Sequence, residues 1–574
     1  MEEPLRWDRG AASWNRLMFV LDAYAARSCP VKTHNAFHPG IQLPLVADEG
    51  LREQFHGGIT FKAEVLAAIL TADASVVDCR ELVTLPAEDQ ERACLAAMAA
   101  GVQVIIGGLL PRDWVGHRSG LPDLLIRVEG KDTPRYQPAQ VKAHRVADGR
   151  GEESPLLCST LTEPLRRREL PTYRFRWQWR LNDVLQLAHY WRLLEQTGFA
   201  ADRACAAILG TDDYPELGRA LTWIDLDEPR LPTSPRLPSL EGVLVSGLTR
   251  YDQEHQIRVQ IAEEARALGV DDPRTLHPIV NRECVYCQWW DTCRTELDDD
   301  DLSLKISKSP LDVHEIAVLR SLGVATVTEL AGTDLEQLLP RYLPQVTHRF
   351  GAEERLRLAH RRSLLLARGI DFDRVSEGPI SLPSAPLEID IDVETSGSDR
   401  VYLWGFLVSD SRDGRSYYRD FSSFTDLDDE AEAALAVAAM SWLRDLIGDS
   451  PALVFHYSDY ELVRLHRLAA ASNHPTLAWA EEFARAGFVD LFAVIRANFF
   501  GTQGLGLKAV ASKAAGFAWR DESPGGLNSQ AWFAEAVGAT TPELREAARR
   551  RVLEYNEDDV RATWHVRGWL RSQA

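Results

Sequence analysis

Two short patterns toward the C-terminal end hold side chains suited to divalent cations. Leu387–Thr395 reads LEIDIDVET, and Tyr555–Val560 reads YNEDDV. Alternation predicts a strand for the first: Leu387, Ile389, Ile391 and Val393 share one face, while Asp390, Asp392 and Glu394 share the other. The second falls in a long helical segment, with Tyr555 and Asp559 one turn apart. Hydrolysis of a phosphodiester by two metals needs carboxylates that hold Mg²⁺ or Mn²⁺ ions about 4 Å apart, one activating water and the other stabilising the leaving oxygen. Such hard cations take oxygen ligands and keep several waters, so four carboxylates suffice. Asp392, Glu394 and Asp559 supply three. The fourth is expected after the strand Leu453–Tyr457, in HYSDYELVRL, where Glu461 opens a helix and Asp459 stands just before it. Asp490, in VDLFAVI, reads instead as the cap of the following helix.

The elements that must position these residues are legible around them. Pro383 and Pro386 punctuate a linker, after which Val401–Val408 reads as a second apolar strand. Asp413-Gly414 marks a hairpin turn into Ser416–Arg419. A helix over Asp428–Ile447, the strand Leu453–Tyr457 and several more helices follow. That order predicts a mixed sheet with helices packed on it. Residues 385–574 so read resemble the DnaQ-like 3′–5′ exonucleases, the tyrosine-type DEDD group of the ribonuclease-H-like superfamily, and more closely the YprB-type RNase-H-like domain. The resemblance implies that Asp392 and Glu394 form the first motif, Glu461 the second, and Tyr555 with Asp559 the third, Tyr555 orienting the attacking water. In the second motif Glu replaces the usual Asp and the customary Asn is absent, which keeps Asp459 as a competing ligand.

A different chemistry is written in the cysteines. Cys284, Cys287 and Cys293 form C-x2-C-x5-C within ECVYCQWWDTC, and Cys29, in RSCPVKTHN, is the natural fourth. Four thiolates make a closed zinc site or hold a cubane cluster. Zinc ribbons use two paired C-x2-C knuckles, which this chain lacks. One distant cysteine plus a C-terminal trio resembles the iron–sulfur staple of RecB-like nucleases such as AddB and the CRISPR-associated RecB-type exonucleases. The resemblance implies a 4Fe-4S cluster on these four residues, with zinc or plain thiols as alternatives. Cys79, Cys94, Cys158 and Cys205 lack ligand spacing and read as buried small hydrophobes.

The same resemblance implies a PD-(D/E)XK core, whose parts can be found. Asp123 lies at the start of a strand in GLPDLLIR, Gln140-x-Lys142 follows in PAQVKAH, and Gln186 and Tyr190 in DVLQLAHYW match a Q-x3-Y motif. In such a site the acids bind Mg²⁺ and the lysine positions water or offsets developing charge. Two positions depart from the pattern. Gln140 stands where an acid is usual, and the early helix GGITFKAEVLAAIL has Phe61-Lys62 where relatives tend to carry His-Glu, leaving Glu64 as the nearest acid. A fold retained for binding DNA is therefore a second reading of this region.

Leu165–Arg180 (LRRRELPTYRFRWQWR) holds six arginines and one acid. From Tyr173 on it alternates, with Tyr173, Phe175, Trp177 and Trp179 on one side and Arg174, Arg176 and Arg180 on the other. A strand so patterned offers a basic edge to phosphates or stacking platforms to bases; the plainer reading is a solvated face. The chain as a whole carries a formal charge of −21, which argues against indiscriminate nucleic-acid binding and leaves a local track such as this one.

At 574 residues, 45% hydrophobic and 26% charged, the chain is too long for one core. Three regions are expected. Residues 1–297 form the RecB-like part; 298–385, after the acidic break Asp298–Asp301, form a helical connector; and 386–574 form the RNase-H-like part. Within the connector, Val318–Gly332 resembles a helix-hairpin-helix turning at Gly323. No stretch approaches the ~20 apolar residues of a membrane span, and MEEPLRWDRG lacks the features of a signal peptide, so a cytoplasmic location is expected. The whole pattern resembles RecB-like nucleases fused to a YprB-type domain. It implies an α/β multidomain nuclease acting on nucleic acid, DNA more than RNA, as a 3′–5′ exonuclease. A nucleic-acid-binding scaffold with both sites decayed is the alternative.

Overall fold

The structure is a computed structural model that describes residues 18–42, 61–70, 75–128, 133–148, 155–237, 243–522 and 525–573. The opening MEEPLRWDRG and the first four residues of GGITFKAEVLAAIL lie outside these; the rest of that stretch, 61–70, is helical. The chain divides into two compact units. One takes Met1–Leu304, Leu311–Thr326 and Asp334–Leu356; the other takes Lys305–Pro310, Val327–Thr333 and Arg357–Ala574.

The first unit is built on a nine-stranded sheet. At its centre Leu124–Val128 and Arg135–Val141 form an antiparallel pair, and Arg135–Val141 runs parallel to Cys205–Tyr214. Gly218–Asp225, Pro155–Thr160 and Arg168–Phe175 continue the sheet by antiparallel pairing. The helix Leu181–Thr197 buries Val184, Leu185, Leu187, Ala188 and Trp191 against it, with Ala206 and Ile208 among the strand residues they meet. Asp123, just before Leu124–Val128, thus neighbours Gln140 in Arg135–Val141 and Lys142 just after it, and Gln186 comes from the helix laid over them.

The second unit centres on a five-stranded sheet in the order Arg415–Ser422, Val401–Asp410, Leu387–Thr395, Ala452–His456, Phe488–Asp490. The first three strands are antiparallel; the last two join parallel to Leu387–Thr395. Gly414 closes the predicted hairpin with φ +71°, a left-handed conformation glycine adopts without a Cβ clash. Leu387, Ile389, Ile391 and Val393 pack with Ala436, Ala439, Met440 and Leu443 of the helix Asp429–Ile447. Each such side chain contributes about 1.5–3 kcal/mol on burial. A one-residue slip would send all four to the wrong face and the carboxylates into the core, so packing fixes the register.

The opposite face of that strand meets the terminal helix Pro542–Ser572. Near the strand's start, Arg567 pairs with Asp390 (Nη2–Oδ2 2.7 Å) and with Glu388, while Arg571 pairs with Glu388 at 2.5 Å. These pairs neutralise the two carboxylates that the alternation set beside Asp392 and Glu394. The stretch expected to be wholly helical contains one strand, Phe372–Arg374, antiparallel to Phe499–Gly501. A three-residue strand carries no periodicity of its own; the distant partner creates it.

Candidate active site

Asp392 and Glu394 leave the strand on the face opposite its apolar set, and Asp559 enters from the terminal helix. Ligand oxygens of the three lie within 4.8 Å of one another. Each carboxylate has one oxygen held by a neutral donor. Asn556 Nδ2 donates to Asp392 Oδ2 at 2.7 Å, Ser529 Oγ to Glu394 Oε2 at 2.6 Å, and Trp519 Nε1 to Asp559 Oδ1 at 2.6 Å. Tyr418 in turn donates to Asn556 Oδ1 at 2.8 Å. Neutral donors fix direction without cancelling charge. The arrangement requires Gly405, which faces Asp392 across the strand pair: a Cβ there would fall 1.7 Å from Asn556 Oδ1.

Glu461, in the first turn of the helix Tyr460–Ser472, is 4% exposed, and its Oε2 has no hydrogen-bond partner among the described residues. The nearest cationic candidate, His456 Nδ1, stands 3.7 Å away and already faces the Ser458 carbonyl. Asp459 is exposed. Asp490 does cap its helix, accepting from Phe492 N at 2.8 Å.

Burial and mutual repulsion hold these acids well above the ordinary carboxylate range. Burial followed by the charge of Asp559 pushes Glu394 up to about 8; burial followed by Asp490, Asp459 and Asp559 pushes Glu461 up to about 8. Asp392 is raised by burial and by Asp559, Glu394 and Glu461, and Asp559 is raised mainly by burial. Lys508 opposes this, and its Nζ donates to the Tyr555 hydroxyl at 3.0 Å. Tyr555 itself is raised by burial and the adjacent acids, so it stays a neutral phenol at physiological pH. Clustered acids, an orphaned buried oxygen and an all-oxygen donor set fit hard divalent cations.

The first-unit residues are assembled differently. Asp123 is 3% exposed and its oxygens are engaged: Lys62 Nζ lies 2.5 Å from Oδ1, and Val141 N donates to Oδ2 at 2.8 Å. With its amide nitrogen turned toward Asp123, Gln140 donates to Oδ2 at 2.8 Å and accepts the Asp123 N–H at 3.0 Å. Lys142 Nζ donates to Gln186 Oε1 at 2.6 Å and lies 3.5 Å from Asp183, whose other oxygen meets His144 at 3.2 Å. Burial lowers Lys142, and the partnership with Asp183 raises His144. Gln186 also donates to the Tyr190 hydroxyl at 3.1 Å; both are buried, below the surface a nucleic acid would touch. Glu64 is exposed. Arg174 turns its guanidinium back onto the carbonyls of Pro171 and Tyr173, and Arg176 pairs with Asp148 at 3.1 Å.

Cys29 precedes the helix Pro30–Phe37, and Cys284, Cys287 and Cys293 lie some 250 residues later, yet all four line one small cavity with Trp289 and Trp290. Lys32 pairs with Glu283 at 2.6 Å beside it. Asn281 N stands 3.4 Å from Cys284 Sγ; Asn35 Nδ2 and Arg274 Nη1 stand 3.8 and 3.9 Å from Cys293 Sγ. Cys79, Cys94, Cys158 and Cys205 are buried, as expected.

Lys508, Ser529, Trp519 and Tyr418 were not singled out by sequence reasoning. Each reaches the site from a separate element with no spacing relation to a motif. Asn556 had a signal: it sits inside YNEDDV, beside Tyr555.

Residues 389–571 match the RNase_H_2 family model, of the RNase_H superfamily. The chain matches no curated protein and no solved structure. The C-terminal part is therefore an RNase-H-like domain, which points to a nuclease acting on nucleic acid with divalent metals such as Mg²⁺ or Mn²⁺. Among the described residues, no helix is long and apolar enough to cross a membrane.

Proposed function

We propose that the chain is a metal-dependent nuclease whose 386–574 region acts as a 3′–5′ exonuclease, on DNA in preference to RNA. The observation that carries this reading is the convergence of Asp392, Glu394 and Asp559 within 4.8 Å, with the unpartnered buried oxygen of Glu461 beside them. These four would hold two divalent ions, Glu461 being favoured over the exposed Asp459. When bound, the ions supply an activated water and charge stabilisation at the leaving oxygen. Ser529, Asn556 and Trp519 hold the carboxylates in place, so little reorganisation is needed as charge develops. Tyr555, kept neutral and hydrogen-bonded by Lys508, would hydrogen-bond the attacking water and orient it.

In this reading residues 1–297 grip the strand, and 298–385 connect the two parts. A PD-(D/E)XK-like arrangement in which the Lys62 ammonium meets Asp123 and Gln140 supplies an amide favours gripping over cutting there. The four cysteines would hold a structural 4Fe-4S cluster. Such a protein would work in the cytoplasm, where thiolate ligands stay reduced. Purified full-length protein with Mn²⁺ and end-labelled single strands of DNA and RNA tests the function. Stepwise shortening from the 3′ end is expected; a mobility shift with no product from any substrate would leave the scaffold reading.

A further inference from the structure

The alternation from Tyr173 onward would bury Trp179 beside Trp177, but the strand stops at Phe175. The N–H groups of Trp179 and Arg180 both bond the Arg176 carbonyl, at 3.1 and 3.0 Å, in a turn that leads into the helix Leu181–Thr197. Trp177 stays in the core at 7% exposure, whereas the turn throws Trp179 outward to 71%. Its indole lines a cleft of about 260 Å³ with Arg145, Asp148, Arg176 and Arg180. That is smaller than the about 300–1,000 Å³ of ordinary ligand pockets, which suits a single base laid on the ring rather than a larger ligand enclosed whole.

Among the described residues lining the cleft, three are arginines and one is an aspartate. Arg176 lies 4.8 Å from the Trp179 ring centroid and pairs with Asp148. Arg145 is tethered to Asp212 at 3.3 Å, and Arg180 donates to the Arg145 carbonyl. A guanidinium carries five donors, so the tethers on Arg145 and Arg180 set their direction without using every N–H. Arg145 follows His144, whose Nδ1 faces the Arg145 carbonyl at 3.0 Å, and Arg180 stands one turn before Asp183.

We infer that this cleft is a single-strand subsite in which an unstacked base lies on the Trp179 indole while Arg145 and Arg180 hold its flanking phosphates. This deepens the nucleic-acid reading and rests on it. A base on an aromatic face is available only in a single strand, and stacking reads neither base identity nor sugar. The subsite therefore selects strandedness.

The test uses full-length protein in EDTA with fluorescein-labelled oligo-dT, oligo-U and a blunt DNA duplex, read by anisotropy. Trp179→Ala is expected to weaken single-strand binding about 5- to 150-fold, the range for loss of one stacked base, and Trp179→Phe to retain most of it. Arg180→Gln should lower the slope of log affinity against log salt by about 0.7, one phosphate's share on a single strand. Unchanged single-strand affinity in Trp179→Ala, or an equal loss on the duplex, would overturn the subsite. A parallel Mn²⁺ digestion separates the two readings. Trp179-dependent binding without cleavage removes the nuclease function and keeps the subsite; cleavage with Trp179-independent binding does the reverse.

Discussion

Replacing Asp392 with asparagine separates what the site costs the fold from what it does. Asp392 lies with Glu394 and Asp559 inside a 4.8 Å cluster, and two unit charges at that distance repel by about 3.5 kcal/mol at an effective dielectric of about 20. Protonation already relieves part of this, because burial and mutual charge raise all three acids, and Lys508 offsets more. The net relief expected from removing one charge is about 2 kcal/mol. Asparagine keeps the shape: its carbonyl still accepts from Asn556, and its amide can donate to a neighbouring carboxylate. Metal-free Asp392→Asn should therefore be more stable than the native chain, with the melting transition of the second unit raised by about 4–8 °C. Mg²⁺ at a hundred times its dissociation constant would stabilise the native protein by about 2.7 kcal/mol and the variant much less. Calorimetry with EDTA and with Mg²⁺, beside digestion of labelled single strands, reads both effects. An Asp392→Asn protein that melts lower in EDTA, or that keeps the full Mg²⁺ response, would show that the carboxylates are not a mutually repelling cation site.

Three further outcomes follow from the same geometry. Glu394 and Glu461 are held near 8, above the ordinary 4.5, so the folded metal-free protein binds extra protons. That stabilisation is complete below about pH 4.5 and is lost as pH rises through about 8; thermal scans in EDTA should show it, and Mg²⁺ affinity by calorimetric titration should rise over the same window. Arg567→Met leaves Asp390 buried without its partner and should cost about 3–5 kcal/mol in urea unfolding; a loss under 1 kcal/mol would mean the pair is not needed. Finally, Lys62→Glu combined with Gln140→Glu should create a second Mn²⁺ site, seen by paramagnetic resonance in an Asp392→Asn background. A native first unit that already binds Mn²⁺ through Asp123 would refute the view that Lys62 occupies that position.

Much of the second unit was legible because its signals are local. The alternation of LEIDIDVET, the turn at Asp413-Gly414 and the helix capped by Asp428 each reflect sterics within a few residues, and the strand and helix bounds agree closely with expectation. The polar face of the site strand was less transparent. Asp390 and Asp392 are two residues apart and equivalent in pattern; only the arrival of Arg567 from the terminal helix gives one a cationic partner, while the other is left among carboxylates. Trp179 shows the opposite case, in which a clear pattern ran past the end of its element because a turn's hydrogen bonds override alternation.

The sequence by itself determined the residue types and the elements bearing them: carboxylates on a strand and a helix, a phenol one turn from Asp559, and three cysteines at ligand spacing with a fourth far upstream. Which of them act together was decided by tertiary structure. Charge, desolvation and hydrogen bonding depend on distances between segments far apart in the chain, and no local periodicity encodes those. The same physics gives a mutually repelling cluster at Asp392, Glu394 and Asp559, with the unpartnered Glu461 oxygen raised by the same charges, and an internally satisfied one at Asp123, where Lys62 already supplies the positive charge.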